Sequence, residues 1–184
     1  MKSILIAGFA GCLFFTTLNV NAQGEYKSFR VDLGLGLCTA FADKYGTFGA
    51  ILYLEPKYAV ISRLNIGFKY ETGFNSRNYR ALAHSYVHVI NSYQITTDYY
   101  LVQNSSKPLL RQFLGAGMGV YHIKNQKNNS ASEKSNFGAM LRAGFDIYHF
   151  RLMIAYNFAG KDILKNDAGY ASITIGAFLG GGKR

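Results

Sequence analysis

At 184 residues the chain is long enough for one domain. Its 16% charged residues fall well below the roughly 25% of ordinary soluble proteins, which argues against a water-soluble globule of usual composition. No stretch beyond the N-terminal segment approaches the ~18 consecutive apolar residues of a membrane helix, so a helical membrane bundle is excluded and any span must be made of strands.

Apolar residues make up 49% of the chain and aromatics 15%, all of them Tyr or Phe, beside 20 Gly and only 2 Pro. With a mean hydropathy of +0.01, this mixture suits many strands that each have one apolar and one polar face.

The N-terminus has the form of a secretory signal. Lys2 is its basic start, Ile4 to Leu18 its apolar core, and Val20-Asn21-Ala22 its cleavage site. Residues 1–22 are therefore expected to leave, with 23–184 as the mature domain. A lipoprotein signal at Cys12 is disfavoured because Leu13, Phe14 and Phe15 continue the apolar run past it. Cys38 then stands as the one cysteine of the mature chain, so no internal disulfide can form, and stability must come from packing or from closure of a sheet.

Ser28 to Phe41 alternates cleanly and predicts the first strand. Phe29, Val31, Leu33, Leu35 and Leu37 share one face, and Arg30, Asp32, Gly34, Gly36 and Cys38 the other. Ala42 to Thr47 reads as a loop. Phe48 to Tyr58 is the second strand, with a poorer pattern because Ile51 and Tyr53 would share a face with Glu55 and Lys57. Tyr58 to Arg63 reads as a turn. Leu64 to Phe74 is the third strand, with Leu64, Ile66, Phe68 and Tyr70 on the apolar side and Lys69 and Glu71 opposite. Asn75 to His84 reads as a basic loop.

Ser85 to Leu101 is a long fourth strand whose polar face carries His88, Ser92, Gln94, Thr96 and Asp98. Val102 to Lys107 is a turn. Pro108 opens the fifth strand, where Leu114, Ala116, Met118 and Val120 alternate with Gly115, Gly117 and Gly119. An apolar face backed by glycines suits a closed barrel with a narrow interior, whereas the inner face of a soluble sandwich needs bulk. Lys124 to Asn136 is polar throughout and reads as a loop. Phe137 to Tyr148 is the sixth strand, with Arg142 and Asp146 on its polar face. A tight turn at His149 and Phe150 leads into Arg151 to Phe158. Gly160 to Ala168 is a charged loop, and Gly169 to Leu179 is the last strand.

Eight strands of mostly 9 or more residues, long polar connections alternating with short ones, and one apolar face per strand predict an all-β, eight-stranded, antiparallel up-and-down transmembrane β-barrel. Tyr58, Tyr70, Phe74, Tyr99, Tyr121 and Phe158 lie near strand ends, where aromatic girdles would sit. Nine charges fall on the inward face: Arg30, Asp32, Lys69, Glu71, Asp98, Arg111, Arg142, Asp146 and Arg151. In so narrow a lumen they must pair or stay hydrated, and an ion-paired plug is favoured over a polar track for ions. A connection centred between Asn104 and Ser105 sets Asp98 opposite Arg111. One centred near Tyr148 and His149 sets Asp146 opposite Arg151.

Several segments resemble a known group. Glu55-Pro56-Lys57-Tyr58, Leu64-Asn65-Ile66-Gly67, Asp98-Tyr99-Tyr100-Leu101, Phe113 to Gly119 and the closing Gly180-Gly181-Gly182-Lys183-Arg184 look like the small outer-membrane β-barrel domain proteins of Gram-negative bacteria, of the OmpA-type eight-stranded kind. The resemblance implies an outer-membrane barrel, assembled by the barrel assembly machinery. Many such barrels end on an aromatic residue; here six residues follow Phe178.

For function, the sequence points to an integral outer-membrane protein with a structural or surface-interaction role in the cell envelope. A narrow channel for ions or small solutes is the alternative. A lipid-modifying barrel enzyme is weaker, because His84 and Ser85 fall on opposite faces and His88 and Ser92 lie roughly 13 Å apart along a strand. No catalytic, cofactor or metal motif is present. The net charge of +10 would suggest nucleic acid, but export and lipid-facing strands argue against it. Arg77, Arg80, Lys124, Lys127, Lys134, Lys161 and Lys165 are expected in loops, where outer-membrane lipids and lipopolysaccharide phosphates are the candidate partners. A monomer is expected.

Overall fold

The two-residue alternation runs along eight antiparallel strands that close on themselves. The computed structural model describes residues 29–40, 48–79, 84–101, 110–127, 130–161 and 168–181. The expected signal over 1–22 and the expected loop over Ala42–Thr47 lie outside them. The strands are β1 (Phe29–Ala40), β2 (Phe48–Ile61), β3 (Leu64–Tyr79), β4 (His84–Tyr100), β5 (Leu110–Lys127), β6 (Ser130–Ile147), β7 (Phe150–Phe158) and β8 (Tyr170–Gly180). Each pairs with its sequence neighbours. The wall is completed by β1 on β8, from Arg30↔Gly180 to Ala40↔Tyr170, and closure leaves no free sheet edge around the barrel body.

The burial pattern is inside-out relative to a soluble protein. On β1, Leu33, Leu35 and Leu37 are 63%, 59% and 60% exposed, while Asp32, on the opposite face just before them, is fully buried. The same inversion holds on β5, where Leu114, Met118 and Val120 are exposed, and on β8, where Ile173, Ile175 and Leu179 are. Leu35 stands beside Leu52 on one side and Ile175 on the other. These rows make a continuous apolar belt, which hydrocarbon can cover and water cannot.

Two ends of the barrel differ. At one end two of the connections are two residues long. Ser62 and Arg63 join β2 to β3, and Tyr148 and His149 join β6 to β7. Tyr148 has a φ of 53°, the positive value that tight hairpins demand of their central residues. This turn therefore centres on Tyr148–His149 rather than on His149 and Phe150. The Phe178 N–H donates to the His149 carbonyl at 2.8 Å, tying β8 to it.

At the other end the strands run further than their sequence suggests. Lys124 to Asn136 is not a single loop: β5 continues to Lys127 and β6 begins at Ser130, in an unbroken ladder from Lys124↔Glu133 to Lys127↔Ser130. Asn75 to His84 likewise holds the ends of β3 and β4, paired to Tyr79↔His84. The expected turn over Tyr58–Arg63 shrinks because β2 extends to Ile61, with a register shift between Ala59 and Ile61. In the extensions of β3, β5 and β6 neither face carries the apolar row of the belt, so the alternation that marks a strand fades while the ladder persists.

Inside the barrel the side chains form layers. Tyr53, Tyr100, Phe113 and Met153 cluster toward the turn end. Cys38, Ile51, Tyr121, Ile123, Ala159, Ala168 and Tyr170 form an apolar cluster toward the loop end. Between and around them lie the buried charges.

Candidate functional site

Among the described residues, the lumen gathers a dense set of chemistry-bearing side chains. β1 supplies Arg30 and Asp32, β2 Glu55 and Lys57, β4 Asp98 and Tyr100, β6 Arg142 and Asp146, and β7 Arg151. Four cations meet four anions, and each of the eight is at most 4% exposed. Lys57 Nζ lies 2.8 Å from Asp32, 3.1 Å from Glu55 and 2.7 Å from Asp98. Arg142 grips Glu55 with both terminal nitrogens, at 2.9 and 2.7 Å, and Asp98 with Nε at 2.8 Å.

Arg151 reaches Asp146 at 2.7 Å, Asp98 at 2.8 Å and Asp32 at 3.2 Å. Arg30 closes the ring, 2.8 Å from both Asp32 and Asp146. The Tyr100 hydroxyl donates to Asp146 at 2.7 Å and accepts from Arg151 at 3.0 Å.

A lone charge buried in a dry interior costs many kcal/mol, which only pairing and hydrogen bonding offset. The lumen meets that demand twice over, because the bidentate Arg142–Glu55 contact is the strongest form of such a bond and aromatic rings face three guanidinium groups. Arg30 lies 4.3 Å from the Phe178 ring centre, Arg151 3.9 Å from Phe113, and Arg111 3.8 Å from Tyr100.

Six of the nine charges read from the sequence (Arg30, Asp32, Asp98, Arg142, Asp146 and Arg151) thus meet in one network. Lys69 and Glu71 form a separate ion pair nearer the loop end, where the Tyr170 hydroxyl donates to Glu71 at 2.5 Å. Arg111 is half-buried at the turn end.

The register differs from expectation at one hairpin. Asp98 stands opposite Gly115, and Arg111 stands opposite Asp146. The β4–β5 ladder ends at Tyr100↔Phe113, so its centre lies beyond Asn104–Ser105. Asp146 does stand opposite Arg151.

Sequence reasoning left out Glu55 and Lys57, which complete the network. Their signal was present as the poor alternation of β2: Ile51, Tyr53, Glu55 and Lys57 all point inward and all are buried. Beyond the ion pairs, Tyr53 Oη, Gln94 Oε1, Ser172 Oγ and Thr174 Oγ1 are buried without a protein partner, the condition under which polar interiors hold internal water.

Outside the lumen one pair stands out. His122 and Ser135 face each other across β5 and β6 on the outer surface, with Nδ1 2.7 Å from Oγ. The Tyr93 ring meets the imidazole edge-on at 5.8 Å. A serine beside a base is the start of a nucleophilic site, but such a base needs a third group to orient it. Glu133, two residues from Ser135 on the same face, is held by Lys124 at 2.6 Å. No group of three or more His, Cys, Asp or Glu able to hold a metal occurs among the described residues.

This architecture recurs in solved structures. Neisserial surface protein A superposes with a TM-score of 0.69 at 14% identity, over 83% of this chain and 96% of that one. The fold is that of the small eight-stranded outer-membrane β-barrels of Gram-negative bacteria. The N-terminal β-barrel domain of Pseudomonas aeruginosa OprF matches with a TM-score of 0.50 at 15% identity, over 82% of this chain and 97% of that one. Ail, the attachment invasion locus protein of Yersinia pestis, in complex with the heparin analogue sucrose octasulfate, matches with a TM-score of 0.51 at 10% identity, over 84% and 99%. No protein-family model and no curated protein matches the sequence.

Proposed function

We propose that the protein is a non-conducting outer-membrane barrel that works through its loop end, in a structural or surface-interaction role in the cell envelope. The observation that carries this is the lumen: four buried cations locked to four buried anions, with an apolar cluster between them and the loop end. An ion path would need mobile, hydrated charges, and these are held by two or three partners each.

In this reading the N-terminal signal directs export, the apolar belt sits in lipid, and the short turns face the periplasm as in barrels of this kind. The barrel assembly machinery inserts the chain, which acts as a monomer. The basic loop end then meets anionic groups outside, lipopolysaccharide phosphates among them. The heparin analogue bound to Ail supports anionic saccharides as the ligand chemistry.

Conductance across a planar lipid bilayer tests the closed lumen. Folded protein should give no steps above the bare bilayer. Stable, voltage-independent steps would return the narrow-channel reading.

A second reading, a lipid-modifying barrel enzyme, draws on the His122–Ser135 pair, which lies on the outer face where lipid is reached. Release of fatty acid from outer-membrane lipid by the wild type but not by Ser135→Ala would support it. Equal release by both proteins would remove it.

A further inference from the structure

On the lipid side of the wall, the outward side chains line up in rows that cross the strands. One row runs Ser135, His122, Asn91 and Thr72 from β6 to β3, each opposite the next. The row beside it, toward the turn end, runs Phe137, Val120, Tyr93 and Tyr70. Ser135 stands further from the β6–β7 turn than Thr72 does from the β2–β3 turn. Both rows therefore climb toward β6, as strand tilt requires.

The upper end of the first row lies at the rim of the apolar belt. On β6 every outward position from Ile147 to Phe137 is apolar. That run spans roughly 33 Å of strand, or about 25 Å of height once tilted, the thickness of a barrel's apolar band. Ser135 is the next outward position, and His122 faces it with Nδ1 2.7 Å from Oγ. The pair thus sits where hydrocarbon gives way to the linkage groups of lipid. In the row above, Lys124 and Glu133 pair at 2.6 Å and cancel each other's charge.

Beyond Thr72 the first row changes character. Its next members are Leu52, Leu35 and Ile175. The second row continues from Tyr70 as Leu54, Leu33, Ala177 and Phe150. Between the two rows lies an open groove of about 660 Å³, with Gly34 and Gly176 paired in its floor. It crosses four strand spacings from β3 to β7, roughly 19 Å, the reach of an extended fatty acyl chain. Ala177 is too short to close it. The track is therefore hydrogen-bonding on β3 to β6 and hydrocarbon-lined from β3 onward. Tyr70 and Tyr93, their rings 5.2 Å apart, stand at the junction, and Tyr93 meets the His122 ring at 5.8 Å.

We propose that this track binds one molecule of outer-leaflet glycolipid, lipopolysaccharide, through an acyl chain in the groove and its linkage groups on Thr72, Asn91, His122 and Ser135. The inference rests on the reading above that the loop end faces outside, and it names the wall and the part of the lipid held there. Two hydroxyls, a carboxamide and an imidazole offer acceptors as well as donors. The amide N–H and hydroxyl groups of glycolipid acyl chains need such acceptors, whereas the ester carbonyls of a phospholipid need donors alone. The rings of Tyr70 and Tyr93 suit a boundary that is apolar on one side and wet on the other. With Lys124 and Glu133 cancelling, the wall selects the linkage region rather than a phosphate. His122 and Ser135 here hold the linkage and do not cleave it.

The test uses the full mature chain folded in phospholipid nanodiscs containing short-chain lipopolysaccharide. After transfer to mild detergent, native mass spectrometry counts the glycolipid left on each barrel. Wild type should retain one molecule. Asn91→Leu/His122→Leu removes polar partners, and Ala177→Phe fills the groove. Each should lower retention at least about fivefold. Ala143→Phe, in a second groove of about 630 Å³ on β5 to β8, should stay within about twofold of wild type. Heat-modifiable migration confirms that each variant is folded. Equal loss in all three variants, or none in any, would overturn the placement. Retention of phosphatidylethanolamine in preference to lipopolysaccharide would overturn the glycolipid. The orientation is read separately, by labelling Glu133→Cys/Cys38→Ser on intact cells with an impermeant maleimide. Labelled cells with no glycolipid retained would overturn the site alone. Labelling only after lysis would overturn the outward-facing loop end on which the inference rests.

Discussion

Asp98 on β4 and Arg142 on β6 meet across the intervening strand at 2.8 Å, over Gly115. Gly115 stands opposite both. A Cβ there would lie 2.4 Å from Asp98 Oδ1, 2.8 Å from Arg142 Nε and 2.6 Å from the Thr97 carbonyl. The glycine is thus the gap through which two next-nearest strands exchange charge.

Gly115→Ala should therefore part a buried ion pair and press on backbone, at a cost of about 3 kcal/mol or more. Gly117→Ala is the comparison. Its nearest neighbours are the Met140 Cε and Thr96 Cγ2 at 3.1 Å, and a flexible thioether end can yield, so the loss should stay near 1 kcal/mol. Urea unfolding in phospholipid vesicles, read by gel migration, measures both.

Sequence alternation fixed inward and outward faces on nearly every strand because lipid demands apolar residues on one side and the narrow lumen accepts almost anything on the other. That same tolerance hid Glu55 and Lys57. On β2 the inward face carries Ile51 and Tyr53 as well as two charges, so the polar face did not look polar. Register was harder still. Asp98 and Arg111 were expected to pair, yet a connection's centre depends on turn geometry that composition does not encode. The ladders beyond Lys124 and Asn75 were invisible for the opposite reason: with polar residues on both faces, period two leaves no trace.

Arg142→Gln should leave Glu55 and Asp98 short of their bidentate partner, costing about 3–5 kcal/mol. Glu55→Gln alone should also destabilise. The double variant should recover part of the sum, with a coupling of about 1–3 kcal/mol. A double-mutant cycle on urea midpoints gives the coupling directly. Strict additivity would show that the Arg142–Glu55 contact carries no special weight in the network.

Leu35 sits mid-belt, flanked by Leu52 and Ile175. Leu35→Arg should cost about 2–4 kcal/mol of folding free energy in a bilayer, the expense of a cation near the hydrocarbon midplane. The same change at Ile61, which is exposed at the turn end of β2, should cost about 1 kcal/mol or less. Refolding yields into vesicles along a urea series separate the two. Equal costs would place Leu35 outside the hydrocarbon.

Cys38 is 5% exposed within the apolar cluster toward the loop end. In the mature chain its thiol should resist a polar maleimide while the barrel is folded and react within minutes after boiling in detergent. Rapid labelling of the folded protein would mean that water and reagent enter the lumen from the loop end.

The most direct test of the barrel itself is electrophoretic mobility of the protein extracted from outer-membrane fractions, run unheated and boiled. A closed eight-stranded barrel should be found in that fraction, keep its compact mobility in detergent and shift on boiling. A soluble protein with one mobility under both conditions would contradict the account, because Leu33, Leu35 and Leu37 and the rows like them would then have to be buried against each other rather than in lipid.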